Sequence, residues 1–129
     1  MGKYSKYDAE NDLLLVDVTG VVAHREVIDR IFDEVIELAK TRPSKPWVIA
    51  CWKHVSFESQ PEIAAYYGER TAGLMQHVAG VMRYAANEPL TRAFVRSVTT
   101  QHRSAGTRSN LYETFEEALA AVNEARRKR

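Results

Sequence analysis

A single cysteine, Cys51, stands in a chain of 129 residues. One thiol excludes an internal disulfide and a cysteine-cluster metal site. Lying inside an apolar run, Cys51 is expected to act as a small buried hydrophobe. The four histidines, His24, His54, His77 and His102, show neither i,i+4 nor i,i+2 ligand spacing, and no His-Glu-x-x-His run occurs. Neither a metal nor a cofactor is therefore expected. No apolar stretch approaches the ~20 residues that a membrane-spanning helix needs, and residues 1–6 lack the apolar segment of a signal peptide. The expectation is a cytoplasmic protein without membrane contact. A Gly-x-Ser-x-Gly elbow, a phosphate-cradling glycine loop and a dinucleotide glycine fingerprint are all missing. The acids fall mostly on what read as exposed helix faces, so the sequence predicts no enzyme.

What is present is a spine. Trp47-Val48-Ile49-Ala50-Cys51-Trp52 is a continuous apolar run opened by Pro46 and followed by Lys53 and His54. Such a run fits a strand buried on both faces, as in the middle of a parallel sheet. The strand is predicted over 47–53, with a loop over 56–61 after it. Upstream, Tyr4, Lys6 and Asp8 alternate with other residues over 3–8, and a second strand spans 13–19; their short link predicts an antiparallel hairpin. From about His24 the period changes. Val27, Ile28, Ile31, Phe32, Val35, Leu38 and Ala39 recur at helical spacing, and the helix must stop before Pro43 and Pro46.

Further helices are predicted from capped starts. Ser59-Gln60-Pro61-Glu62 opens one, which Gly68 and Gly73 weaken. Asn87-Glu88-Pro89 opens another, with Leu90, Phe94, Val98 and Gln101 on one line. A strand over 78–85 lies between them. A short last strand over 110–112 leads into Thr114-Phe115-Glu116-Glu117, a capping box. The predicted fold is a single α/β domain over 1–129, with a mixed five-stranded sheet, about four helices and the order ββαβαβαβα.

This order, together with Asn110-Leu111-Tyr112-Glu113-Thr114-Phe115-Glu116-Glu117-Ala118-Leu119, resembles the STAS-type, SpoIIAA-like domains, the bacterial anti-sigma-factor antagonists and their uncharacterised relatives. The resemblance covers most of the chain in element order and only the C-terminal phrase in residue detail. In the antagonists a serine of an Asp-Ser-Ser-Gly turn after the central strand is phosphorylated and switches partner binding. Ser56-Phe57-Glu58-Ser59-Gln60 partly echoes that turn, with Glu58 at the aspartate position and Gln60-Pro61 in place of Ser-Gly. The resemblance thus implies a SpoIIAA-like fold and a regulatory, protein-interaction role, with Ser56 and Ser59 as the switch or partner site.

Residue chemistry adds further candidates. Ligands gather outside the carboxyl ends of parallel strands in α/β sheets. That edge is predicted to collect Lys53, His54, Arg83 and Asn87 beside two helix N-termini, an arrangement suited to an anion. Residues 1–69 hold 12 acidic and 8 basic side chains, and residues 70–129 hold 5 and 10, within a net charge of +1. This imbalance is too mild for nucleic-acid binding. Arg92, Arg96 and Arg103 share one face of the predicted third helix with Thr99, a face suited to an acidic partner, including a second copy in a homodimer. Trp47, Trp52, Tyr66, Tyr67 and Tyr84 are candidates for an apolar pocket between the sheet and the second helix. Two readings of function follow: a non-enzymatic regulatory module acting through a protein partner, or a domain binding a small anionic or apolar, lipid-like ligand.

Overall fold

Leu13-Leu14-Leu15-Val16 is apolar at both parities, so a strand made of it needs cover on both faces. The computed structural model, which describes residues 4–57, 61–84 and 111–127, provides that cover. Strand β1 (Ser5–Asp8) pairs antiparallel with β2 (Leu13–Asp17). The turn between them is held by Asp8, whose carboxylate accepts the backbone N–H groups of Glu10 and Asn11. Asp12 completes it at a left-handed φ of 53°, a conformation that aspartate adopts more readily than most residues.

Two short strands that the hydrophobic pattern does not announce come next in pairing, β3 (Val22–Ala23) and β5 (Ser56–Phe57). They form a separate parallel pair, Val22 opposite Ser56. Backbone geometry explains the pair. The chain turns at Gly20 (φ 74°) after β2 and at His54 (φ 58°) after β4 (Trp47–Cys51). Two neighbouring parallel strands that end in similar turns carry their continuations out side by side. The central strand therefore stops at Cys51, short of the predicted Lys53, and part of the predicted 56–61 loop is strand.

Helix α1 (Arg25–Lys40) joins β2 to β4, and α2 (Pro61–Leu74) leads to β6 (Gly80–Tyr84). The chain then returns in β7 (Leu111–Tyr112) and α3 (Phe115–Arg127). The main sheet runs β1-β2-β4-β6-β7, with every neighbour after the first pair parallel. The α/β class and the mixed sheet match the sequence expectation. The helix predicted from Asn87 lies outside the described residues, as do Ser59, Asn87, Arg92, Arg96 and Arg103.

Helix α1 buries Ile28, Phe32, Val35 and Ala39 and ends where Thr41 donates its hydroxyl to the Leu38 carbonyl at 2.6 Å. With α2 it covers the face bearing Leu14, Val16, Val48, Ala50 and Val81. Helix α3 covers the opposite face, where Leu13, Ile49 and Met82 meet Ala118 and Val122. The α3 start is capped as predicted at Thr114, whose Oγ1 accepts the Glu117 N–H at 3.2 Å. The reciprocal contact differs: the Thr114 hydroxyl donates to Glu117 Oε1 at 3.4 Å.

Contacts across the helix pair fix its register. Arg70 of α2 meets Asp33 of α1 at 2.5 Å, Tyr66 donates its hydroxyl to Asp29, and the Arg25 guanidinium stacks 4.2 Å over the Tyr66 ring. Exposed ion pairs contribute roughly 0–1 kcal/mol each, so burial under the helices carries the stability and these contacts set alignment.

Candidate functional site: an apolar cavity with a buried arginine

The sheet register explains a void under α1 and α2. Val16, Ala50 and Arg83 stand side by side in adjacent strands, and so do Leu14, Val48 and Val81 one row earlier. The first row is short at its centre, because Ala50 carries only a methyl group. Ile28, Phe32 and Val35 of α1 and Tyr67 and Leu74 of α2 roof the space above it. The cavity between these walls measures about 70 Å³. Among its described lining residues, Arg83 bears the single charge.

Arg83 is 3 % exposed. Its Nε–H donates to the Tyr67 hydroxyl at 3.1 Å. The guanidinium carbon lies 5.9 Å from the centroid of the Trp52 ring and 5.9 Å from that of Tyr67. Those two rings meet edge to face at 5.5 Å, and Phe32 meets Tyr67 likewise at 5.6 Å. Among the described residues no carboxylate lies within ion-pair distance of Arg83. Taking a cation out of water costs several kcal/mol even after relaxation. A hydrogen bond from a charged donor returns about 1.5–3 kcal/mol and each cation–π contact about 0.5–2 kcal/mol. The described contacts thus hold the guanidinium without neutralising it.

The predicted strand-edge cluster is divided by this geometry. Lys53 and His54 are exposed in the turn after β4, whereas Arg83 turns inward to Trp52 and Tyr67. Ser56 lies in β5, opposite Val22. Of the five candidate pocket aromatics, Trp52 and Tyr67 line the cavity. Trp47 and Tyr84 pack on the α3 face, and Tyr66 sits at the rim of the helix pair against Asp29. Arg83 appeared in the sequence only as a strand-end cation. Its inward direction was available from parity, since it falls two residues after Val81 on the same face.

The opposite face carries a polar row that sequence reasoning missed. Asp17, Cys51, Tyr84 and Tyr112 are direct neighbours across β2, β4, β6 and β7. Asp17 accepts the backbone N–H and the hydroxyl of Thr19 at 2.9 and 2.6 Å, and these bonds hold its carboxyl below the ordinary range. Burial, then a hydrogen bond with Cys51, pushes the Tyr84 phenol well above its ordinary value. Cys51 is half-buried and 3.5 Å from Thr19 Oγ1, less enclosed than the expected core residue. A second concavity of about 330 Å³ lies near the β1–β2 turn, lined by Tyr7, Arg42, Lys45, Trp47 and Arg126 among others. Two of its cations are engaged: Arg42 stacks 4.0 Å over Tyr7, and Arg126 donates to the carbonyls of Asn11 and Asp12.

Among the described residues, no group of three or more His, Cys, Asp or Glu side chains is placed to hold a metal ion, and no helix is long and apolar enough to cross a membrane. The chain matches no protein family, no curated protein and no solved structure.

Proposed function

We propose that this chain is a non-enzymatic binding domain for a small, partly apolar ligand seated between the sheet and helices α1 and α2. The observation that carries this reading is an apolar cavity with one buried cation in its wall. Ligand sites are mostly apolar and hold a few polar groups that fix orientation. Methyl-group NMR during titration with small apolar acids and alcohols tests it. The expected result is saturable shifts at Val16, Ile28, Val35 and Val81, with little change at Val122 on the other face. Cavity methyls that stay still with every compound sink the reading.

The proposal extends to the fold and to a second role. A SpoIIAA-like fold draws support from the antiparallel first pair, the parallel crossovers through α1 and α2, and the Thr114-capped entry into α3. A regulatory contact through Ser56 and Ser59 draws support from Val22, a large apolar side chain 53 % exposed in the strand paired with Ser56. Phosphopeptide mapping of protein isolated from its native host tests this part. Phosphate on Ser56 or Ser59 supports a switch, and fully unmodified serines under all growth conditions count against it.

A further inference from the structure

The concavity of about 330 Å³ beside the β1–β2 turn shares no described lining residue with the cavity under α1 and α2. Its volume falls within the range of small-molecule sites. Among its described lining residues, Arg42, Lys45 and Arg126 are positive and Asp12 is negative. Three cations against one carboxylate leave an excess of two positive charges around one hollow. Such an excess draws anions, and a dianion more strongly than a monoanion.

The charged groups have different parts. Arg126 is committed: its terminal amino groups donate to the Asn11 and Asp12 carbonyls, so it ties α3 to the β1–β2 turn and adds charge without a free fork. Asp12 is committed too, accepting the Tyr7 hydroxyl at 2.7 Å. Arg42 is held from behind. Its Nε–H donates to Thr41 Oγ1 at 3.2 Å, and its guanidinium lies 4.0 Å over the Tyr7 ring. Among the described residues, no carboxylate or carbonyl takes a hydrogen bond from its terminal amino groups. Lys45 is exposed, and no described acceptor lies within bonding distance of its Nζ. These two open cations belong to one loop, in which Pro43 and Pro46 fix φ. A loop so restrained loses less freedom when an anion orders it. Helix α1 ends just before it, and the Leu38 and Ala39 carbonyls at that end already accept the Thr41 and Arg42 N–H groups, which mutes the negative end of the helix.

An arginine fork beside a lysine point charge suits a compact group with several acceptor oxygens. A phosphate monoester has three such oxygens and close to two negative charges, which matches the local excess. The rest of the hollow borders Trp47, whose half-buried ring offers apolar surface to an organic group. We propose that this concavity binds a small phosphomonoester, its phosphate on Arg42 and Lys45 and its organic part against Trp47. The site is independent of the ligand-binding reading above.

NMR titration of the full chain with phenyl phosphate, phenyl sulfate, phthalate and inorganic phosphate tests the assignment. The indole N–H of Trp47 reports on this site, and that of Trp52, which lines the other cavity, is the internal control. Phenyl phosphate is expected to shift the Trp47 signal saturably and to leave Trp52 still. At about pH 8 it is expected to bind at least about tenfold more tightly than the monoanion phenyl sulfate. At about pH 5, below the second phosphate ionisation near 6, that preference is expected to vanish. Arg42→Gln is expected to weaken phenyl phosphate about tenfold and the exposed Lys45→Gln roughly threefold. Lys45→Gln secures the comparison if the arginine variant disturbs the contact with Tyr7. Phenyl sulfate binding as tightly as phenyl phosphate overturns the dianion assignment, and phthalate doing so overturns the phosphate assignment. Inorganic phosphate binding as tightly as phenyl phosphate means an adventitious ion only and overturns the organic part. Unchanged affinity in both variants, or a Trp47 signal that no compound moves, overturns the site and leaves the cavity reading standing.

Discussion

On the α3 side of the sheet, Leu13, Ala118 and Val122 have no exposed surface, and Ile49 and Met82 fill the space between them. On the α1–α2 side the same strands present Val16, Ala50 and Arg83, and about 70 Å³ stays open beneath the helices. The two faces have the same backbone and differ in what stands opposite it. One small helix residue, Ala118, lets α3 approach closely. One small strand residue, Ala50, leaves a hole that larger helix side chains bridge from above. Interiors are packed to crystal density, and a void forfeits contact energy from every wall. A face that keeps a void, beside a buried guanidinium with no carboxylate at ion-pair distance among the described residues, is less stable than it need be.

Matched truncations break or sharpen this contrast most directly. Leu13→Ala on the packed face is expected to cost about 4–5 kcal/mol, near the top of the range for buried leucine. Leu74→Ala removes the same atoms from the wall of the cavity, where α2 has room to settle, and is expected to cost about 3 kcal/mol. Urea denaturation measures both. Equal losses would mean that the two faces are equally rigid.

Arg83→Met gives the next effect, with the opposite sign. Replacing a buried ion pair by well-packed apolar side chains is often neutral or stabilising by about 1–4 kcal/mol, and the same relief of desolvation acts on a buried guanidinium. The ligand-free variant is therefore expected to unfold at higher urea concentration than the wild type. A loss of several kcal/mol would show that Arg83 is a structural partner. Small-to-large changes follow. Ala118→Val is expected to cost about 1–3 kcal/mol through overpacking and the stiffness of a β-branched side chain in a helix. Ala50→Val fills open space and is expected to lie within about 0.5 kcal/mol of the wild type while weakening ligand binding.

The sequence made one of these faces far more legible than the other. Continuous apolar runs locate β2 and β4, and the 3.6-residue period locates the buried stripe of α1, because those signals extend over many residues. The end of β4 was misplaced because Trp52 is as apolar as the strand before it, and the φ of His54 that turns the chain leaves no hydrophobic trace. The β3–β5 pair is two residues long on each side, too short for any period. The anion candidates were gathered by proximity to a strand end, which cannot tell an outward Lys53 from an inward Arg83. Parity within β6 marks Arg83 as sharing the face of Val81, and the register Val16–Ala50–Arg83 then places it under the helices. The row Asp17–Cys51–Tyr84–Tyr112 was hidden for the same reason, since its members come from four strands with no shared motif.

That row supplies the smallest expected effect, visible in alkali. Burial and the Cys51 hydrogen bond keep the Tyr84 phenol protonated above the ordinary tyrosine value of 10.0. In the unfolded chain the phenol loses its proton near that ordinary value. Above it the unfolded state binds fewer protons than the native state, so stability falls as pH rises. The contribution is complete below the ordinary value and is lost progressively toward the raised one. Tyr7 and Tyr66 shift in the same direction, through hydrogen bonds to Asp12 and Asp29 respectively, so the whole slope cannot be assigned to Tyr84 and the variant difference is the useful quantity. Tyr84→Phe is expected to flatten the decline of Tm between about pH 9 and about pH 11, whereas Arg83→Met, on the cavity face, is expected to leave it unchanged. A Tyr84→Phe slope identical to that of the wild type would remove Tyr84 from the alkaline transition. A flattened slope in Arg83→Met would couple the two faces at the row where Arg83 and Tyr84 adjoin.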